Sequence, residues 1–175
     1  IGSVGLDHLQ WIKNKTIEGI IYEKTVKLLN SNIFVNKQDN KEITSKIKKT
    51  LENNQSNKYF FGHDFNYLKA ENNFIQYEDY KGSLILPEPS VLGDHQLGNI
   101  STSIATARKL FDVKGEDIKT GITKIELKGR LQEIKSGKLK ALVGPNRLIC
   151  DGGHNINAAK AIANWVKQQN QSVHL

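Results

Sequence analysis

A short segment late in the chain constrains the fold more than any other feature. The segment 151–155, with sequence DGGHN, follows the apolar run 147–150 and precedes the stretch 156–169, whose apolar residues recur at helical spacing. The sequence therefore predicts a buried strand, a glycine turn and a helix. In open α/β sheets that arrangement brings side chains and free backbone N–H groups to the edge where ligands bind, and a helix start favours anions. We expect the acid Asp151 and the imidazole of His154 to face a ligand there.

Composition limits the classes of protein to which the chain can belong. It has 175 residues and a net charge of +7, a length that allows one domain or parts of two. Only three of its 25 basic residues are arginine and the lysines are scattered, so we expect no nucleic-acid surface. No apolar stretch approaches the roughly 20 residues of a membrane span. The lone Cys150 can form no internal disulfide and fits a reducing compartment, so we predict a cytoplasmic protein with this cysteine in its core.

Hydrophobic periodicity and turn residues give the order of elements along the rest of the chain. The expected elements are the end of a strand over 4–7, a helix capped at Asn14 or Thr16 and running to about Leu29, a strand over 33–35, a polar helix over 40–52, short antiparallel strands between 58 and 86, helices over 98–111 and 116–123, a linker over 124–128, and a strand or two over 130–143, on either side of 136–137. The final strand and helix would then open a second α/β domain.

An acid and a histidine, Asp7 and His8, follow the first expected strand, where a loop-start cap would already account for them. Lys24 lies on the apolar stripe of the next helix, with Ile20 and Leu28. A lysine that faces a core is costly unless it is paired or loses its charge. Its ammonium group could extend to the rim of the core. Alternatively, its neutral amine could add CO₂ and become a carboxylate able to help bind Mg²⁺.

Two further motifs lie between these ends of the chain. In the segment 92–99, with sequence LGDHQLGN, Asn99 is expected in the first turn of a helix. An amide there can pair with both a donor and an acceptor, as an adenine edge requires, although a cluster of helix caps would give the same pattern. In the segment 129–132, with sequence GRLQ, the planar fork of Arg130 suits phosphate oxygens, although a lone arginine usually pairs with surface acids.

Taken in order, these motifs resemble the ATP-site signatures of the folylpolyglutamate synthase / dihydrofolate synthase family, which are relatives of the Mur ligases. The resemblance implies an α/β, Mur-ligase-like fold. Residues 1–127 would be the C-terminal part of a P-loop-type central ATPase domain with a small antiparallel β region. Residues 128–175 would be the start of a Rossmann-like C-terminal ligase domain. The family's phosphate loop is absent from the sequence, so we expect a fragment of a longer chain that is inactive alone.

The resemblance also implies a site that uses ATP and Mg²⁺. The roles it implies are a metal ligand for His8, a carbamylated second metal ligand for Lys24, an adenine contact for Asn99, a shaping role for Gln96, a phosphate contact for Arg130, a ribose or phosphate-side contact for Asp151, and a phosphate or amino-acid contact for His154. Lys24, Arg130 and His154 would be the catalytic members of this set.

The implied activity is an ATP-dependent ligase that adds glutamate to a folate or dihydropteroate carboxylate through an acyl phosphate. Its partners would be ATP, folate or dihydropteroate, and L-glutamate, and it would act as a monomer. A UDP-MurNAc-peptide Mur ligase is the alternative within the same class, but the HQ and RLQ sequences favour the folate branch. A non-catalytic basic binding module is the alternative from another class, and it would gain if His8, Lys24, Asn99 and Arg130 lay on separate surfaces.

Overall fold

The computed structural model describes residues 1–7, 9–169 and 172–174, which form a mixed α/β fold with small sheets. Its elements are α1 (Ile17–Thr25), β1 (Asn32–Val35), α2 (Lys41–Thr50), β2 (Asn57–Phe60), β3 (Phe65–Lys69), β4 (Ile75–Asp79), β5 (Gly82–Leu86), α3 (Asp94–Leu110), α4 (Gly115–Ile122), β6 (Gln132–Glu133), α5 (Lys138–Leu142), β7 (Ile149–Cys150) and α6 (Ile156–Lys167). No helix in the described ranges has the length and apolar character needed to cross a membrane.

The strand β1 is the centre of the N-terminal half because it is covered on both faces. It pairs in parallel with β2, from Asn32 opposite Asn57 to Val35 opposite Phe60. Phe34 belongs to the apolar cluster under α3, whereas Ile33 and Val35 belong to the cluster under α1 and α2. Such two-sided burial is typical of parallel strands between helices.

The start of α1 agrees with the prediction, whereas its end does not. The predicted cap is confirmed, because the Thr16 hydroxyl accepts a hydrogen bond from the Gly19 N–H at 3.1 Å. The helix ends at Thr25, about a turn before the predicted end at Leu29.

The predicted strand end over 4–7 is wrong, because those residues form no regular strand. Instead Ile1 lies along the free edge of β1, where its carbonyl accepts the Asn36 N–H at 2.9 Å.

The antiparallel region between 58 and 86 is confirmed for three strands and wrong for the first. β3, β4 and β5 form an antiparallel sheet that packs its inner face, including Tyr77 and Leu86, against α3 and α4. The first run, β2, instead pairs in parallel with β1. The reason is the crossover through α2, which returns the chain in the same direction as β1.

An ion pair inside the protein joins α3 to the antiparallel sheet. Arg108 Nε lies 3.2 Å from Asp79 Oδ2, and the two side chains are only 7% and 1% exposed. The Tyr77 hydroxyl donates to the same carboxylate oxygen at 3.0 Å. Burial, the charge of Asp79 and this hydrogen bond all raise the pKa of Tyr77, so the phenol stays protonated as a donor. This pair holds α3 in a fixed position on the sheet.

The C-terminal part differs most from expectation. β6 and β7 pair antiparallel over only two residue pairs, and the helix α5 occupies the segment after 136–137 where a strand was predicted. Cys150 is exposed, so its expected place in the core is wrong. β7 is only two residues long, and Ile149 in it is partly buried while Cys150 is exposed. α6 begins where predicted, with the Asn155 side chain accepting the Ala158 N–H at 2.8 Å.

Candidate functional site

Two loops interlock at the start of the C-terminal part. The Gly152 N–H donates to the Gly129 carbonyl at 2.8 Å, and the Asp151 carboxylate accepts the Leu131 N–H at 2.7 Å and the Gly153 N–H at 2.6 Å. Leu131 is buried with φ +46°, a left-handed conformation that costs energy for a leucine and needs such support. Asp151 therefore holds the turn that presents Arg130, which is a structural task the motif alone did not reveal.

Arg130 lies on this turn with its guanidinium available to a ligand. The residue is exposed, and it makes no ion pair with any residue in the described ranges. It lines a cleft of about 760 Å³ together with Lys124, Lys128 and Lys135 and with the carboxylates of Glu126 and Glu133. The four basic side chains outnumber the two carboxylates, and Glu133 is already paired with Arg147, so the cleft suits an anion such as phosphate.

A chain of side-chain amides, here called the amide chain, runs from β1 to the start of α3. The Asn36 amide donates to Asn99 Oδ1 at 2.8 Å, and the Asn99 amide donates to Gln96 Oε1 at 2.9 Å. Gln96 Nε2 then lies 3.0 Å from His95 Nε2. Asn36 and Gln96 are buried, whereas Asn99 is exposed.

Asn99 can still bind a partner from outside. An amide offers two N–H donors and two acceptor lone pairs. Within the amide chain Asn99 uses one donor and one acceptor, which leaves one of each. Its predicted place in the first helical turn is wrong, because α3 begins at Asp94, directly after Gly93 with φ +92°. Asn99 is therefore in the second turn, beside Asn36.

The imidazole at the end of the amide chain is neutral at physiological pH. Desolvation by the surrounding protein is the main cause that lowers the pKa of His95, and the Arg130 charge lowers it further. The carboxylates of Asp151 and Asp94 act in the opposite direction. A neutral ring can accept at Nε2 from the Gln96 amide, which a doubly protonated ring cannot do.

This lowered pKa predicts a loss of stability in mild acid. As the pH falls through the unfolded value of 6.5, the unfolded chain takes up a proton that folded His95 does not, so the folded state loses stability. We expect the urea midpoint to fall between about pH 7.5 and pH 5.5, and to fall less in His95→Gln. His63→Gln is the matched control, since that exposed histidine lies outside the amide chain. Equal pH dependence in all three proteins would refute this assignment.

A second cleft, here called the N-terminal cleft, lies between α1 and the segment 151–155. It encloses about 300 Å³, and Asp7, Glu23, Lys24 and Asn155 are among the residues that line it. The Asn155 amide donates to Asp7 Oδ2 at 2.8 Å, and His154 Nε2 lies 4.0 Å from Asp7 Oδ1. The first and last motifs of the sequence therefore meet here.

Lys24 does not face the core as its spacing predicted. It is exposed, while the buried residues of α1 are Gly19, Ile20, Ile21 and Thr25. The helix ends one residue later, so a long side chain in this last turn extends past the core into the N-terminal cleft. His8, the other expected metal ligand, lies outside the described residues.

The chemistry of the N-terminal cleft is compatible with Mg²⁺. Carboxylate oxygens are its preferred protein ligands, and Asp7 and Glu23 both line the cleft. Within residues 1–7, 9–169 and 172–174, no group of three or more histidine, cysteine, aspartate or glutamate side chains is arranged to hold a metal. A carbamate on Lys24 would add a further oxygen donor.

The structure brings the predicted residues into two neighbouring groups. Lys24 and Asn155 line the N-terminal cleft, while the charges of Asp151 and Arg130 both act on the pKa of His95 in the amide chain. The segment 151–155 belongs to both groups. Asn36 was missed in the sequence, although its place directly after the parallel strand β1 is a signal for a ligand-facing residue.

Comparison with solved structures finds one fold along almost the whole chain. The chain is similar to E. coli FolC in complex with DHPP and ADP, with 26% identity and a TM-score of 0.77 over 98% of this chain and 38% of that one. It is similar to FPGS in complex with AMPPCP and folate, with 22% identity and a TM-score of 0.79 over 98% of this chain and 42% of that one. Mycobacterium tuberculosis folylpolyglutamate synthase, complexed with ADP and AMPPCP, shares 19% identity and a TM-score of 0.74 over 96% of this chain and 38% of that one.

These matches confirm the resemblance that the motifs predicted: the chain has the α/β fold of the folylpolyglutamate synthases. It spans about two fifths of the length of the solved structures that it matches. No protein-family model matches the chain. No curated protein matches it either.

Proposed function

We propose that the chain is part of an ATP-dependent amide-forming ligase that adds glutamate to a folate-type carboxylate. One observation carries the proposal above all others. Among the described residues, Asn99 is held with one donor and one acceptor to spare and Arg130 has no ion-pair partner, within a fold whose solved examples include complexes with AMPPCP and folate. A base and a phosphate chain would occupy these two groups together.

The proposal divides the chain between two domains. Residues 1–127 contribute the amide chain, Asp7 and Lys24 from the central ATPase domain, and residues 128–175 contribute Arg130, Asp151 and His154 from the C-terminal ligase domain. The segment 124–128 is irregular and would act as the hinge. Closure around ATP would then bring Arg130 to the phosphates. The complete enzyme would be cytoplasmic and monomeric.

The proposed chemistry has two steps. A folate carboxylate oxygen attacks the γ-phosphorus of ATP, and the bond between that phosphorus and the bridging oxygen breaks. ADP departs, and the folate carboxylate has become an acyl phosphate. The glutamate amine, after losing a proton, attacks the acyl carbon, and phosphate leaves as the amide forms. Arg130 would stabilise charge on the phosphoryl oxygens during the first step. Asp151 would hold its turn while accepting a ribose or phosphate-side contact, and Gln96 would hold Asn99.

His154 would serve the second step. Its Nδ1 lies 3.0 Å from the Gly152 carbonyl and its Nε2 faces Asp7, so the ring is oriented from both sides. It stands at the entrance to α6, where phosphate or the incoming amino acid would pass. Mg²⁺, when bound, would neutralise charge on the phosphates. Asp7, the carbamate of Lys24 and His8 would hold it in or beside the N-terminal cleft.

The metal role of Lys24 predicts a specific rescue. The neutral amine would bond to the carbon of CO₂ and release one proton, which leaves a carboxylate on the side chain. In the complete enzyme, Lys24→Ala is expected to lower kcat about 10²-fold, as loss of a metal-orienting group typically does. Short carboxylates such as acetate should restore part of that activity. Lys27→Ala, two residues beyond α1, is the control and should keep full activity. A Lys24→Ala enzyme with unchanged kcat would remove carbamylation from the mechanism.

The adenine contact is the sharpest test of the proposed function. Asn99→Ala in the complete enzyme should raise the KM for ATP about tenfold, since two hydrogen bonds to the base are lost, and should leave the KM for glutamate nearly unchanged. Ser103→Ala, one turn further along α3 and exposed, is the matched control. An equal rise in both KM values would argue against an adenine contact.

The two alternative functions, a Mur ligase and a basic binding module, predict different results when the complete enzyme is assayed with ATP and each acceptor. A Mur ligase would use a UDP-MurNAc-peptide and not a folate or dihydropteroate, so product analysis with each acceptor separates them. A basic binding module would neither hydrolyse ATP nor prefer it to GTP. Lys24 lines the N-terminal cleft with Asn155, and Asp151 holds the turn that presents Arg130, so both residues lie beside the segment 151–155, which favours the ligase.

A further inference from the structure

The amide chain has a fixed direction, and one buried residue sets it. The backbone N–H of Lys37 donates to Asn36 Oδ1 at 2.7 Å. A backbone N–H can only donate, so the Asn36 atom that faces it must be the oxygen. The Asn36 Nδ2 therefore points the other way, toward Asn99 Oδ1 at 2.8 Å.

The orientation of Asn36 fixes the orientation of each following side chain in the amide chain. Asn99 Oδ1 accepts from Asn36, so its Nδ2 is the atom that donates to Gln96 Oε1. Gln96 Nε2 is left to donate to His95 Nε2 at 3.0 Å, which places the imidazole proton on Nδ1. Every amide in the series has one orientation because Asn36 has one orientation.

Close packing keeps Asn36 in place. Its side chain is buried, and a Cβ added at Gly98 would lie 2.9 Å from its Oδ1. The absence of a side chain at position 98 is therefore what lets Asn36 reach α3. Asn36 is too buried to contact a ligand well. It can therefore affect ligand binding only through the orientation of the Asn99 amide.

We infer that Asn36 is a positioning residue that makes the nucleotide site selective for adenine by locking the orientation of the Asn99 amide. This inference rests on the proposed function. The spare acceptor and donor of Asn99 occupy fixed places, and adenine offers an amino donor beside a ring-nitrogen acceptor. Guanine carries an oxygen in place of that amino group, so an acceptor would face the Asn99 oxygen.

The variant Asn36→Asp tests the lock because it changes polarity with almost no change in shape. One carboxylate oxygen can still accept the Lys37 N–H, but the other must accept from Asn99. The Asn99 and Gln96 amides would then turn over, and His95 would have to donate from Nε2. We expect the 15N shifts of the His95 ring to change from the Nδ1–H to the Nε2–H tautomer, and the ratio of ATP to GTP affinity to fall about tenfold.

Asn54→Asp is the matched control. Asn54 also bridges two backbone groups, accepting from the Ser56 N–H and donating to the Leu28 carbonyl, but it is outside the amide chain. It should show a similar loss of stability with an unchanged tautomer and ratio. If Asn36→Asp does not fold, Asn36→Ala replaces it. Without a directing donor, that variant should give a mixture of both tautomers and a similarly reduced ratio.

The measurements are titrations of the 15N-labelled complete enzyme with ATP and with GTP. An Asn36 variant that keeps both the tautomer and the nucleotide ratio of the wild type would overturn the inference. If the wild type binds neither nucleotide, or shows no preference, the proposed adenine site fails. The His95 tautomer then decides separately whether Asn36 orients the amide chain, and an unchanged tautomer overturns that too.

Discussion

Arg108→Ala should lower the free energy of unfolding by about 3–5 kcal/mol, because it leaves the Asp79 carboxylate buried without its counter-charge. The two side chains are 7% and 1% exposed, so water can replace little of the lost interaction. The Tyr77 hydroxyl and the Lys81 N–H would remain as hydrogen-bond donors to Asp79, but two neutral donors do not compensate a buried charge. Urea denaturation followed by circular dichroism measures the change.

Two further variants separate this effect from general damage. Arg147→Ala removes an arginine from an ion pair with Glu133 whose side chains are 43% and 33% exposed, and should cost about 1 kcal/mol or less. The double variant Arg108→Met/Asp79→Leu should recover much of the loss, since apolar side chains can replace a buried pair. If Arg108→Ala costs no more than Arg147→Ala, the pair does not anchor α3.

Arg130→Ala should reduce the rate of acyl-phosphate formation about 10²–10³-fold at saturating ATP in the complete enzyme. The proposed role is to stabilise charge that develops during phosphoryl transfer, and such a contact acts on kcat more than on ground-state binding. Asp151 and the strained Leu131 hold the turn that presents this arginine. Because the turn is held in this way, we expect the rate to depend strongly on Arg130. Single-turnover measurement of the acyl phosphate isolates the step.

The matched control is again an arginine in the same part of the chain. Arg147 is already paired with Glu133 and lies outside both clefts, so Arg147→Ala should leave the single-turnover rate unchanged. Arg130→Lys keeps the charge but loses the planar fork, and should recover only part of the rate. A normal rate in Arg130→Ala would leave Arg130 as a surface residue and the 760 Å³ cleft that it lines without a catalytic task.

Local patterns in the sequence were sufficient for most of the helices and for the resemblance. The caps Thr16, Asn40 and Asn155 are short-range signals, since each side chain bonds to a backbone N–H two or three residues later. The order of the four motifs was enough to predict the fold that the solved structures share. These features depend on neighbours along the chain, which a sequence displays directly.

The tertiary structure decided which faces are buried and which residues cooperate. The spacing of Lys24 along the helix places it on the core-facing stripe. Because α1 ends one residue later, its side chain extends into the N-terminal cleft instead. β2 alternates like an antiparallel strand, but the crossover through α2 makes it parallel. Asn36 and Asn99 are separated by 63 residues and meet only because α3 packs beside the end of β1. Partners so distant in sequence leave no local periodicity, so their hydrogen bonds emerge only when the sheets and helices have packed.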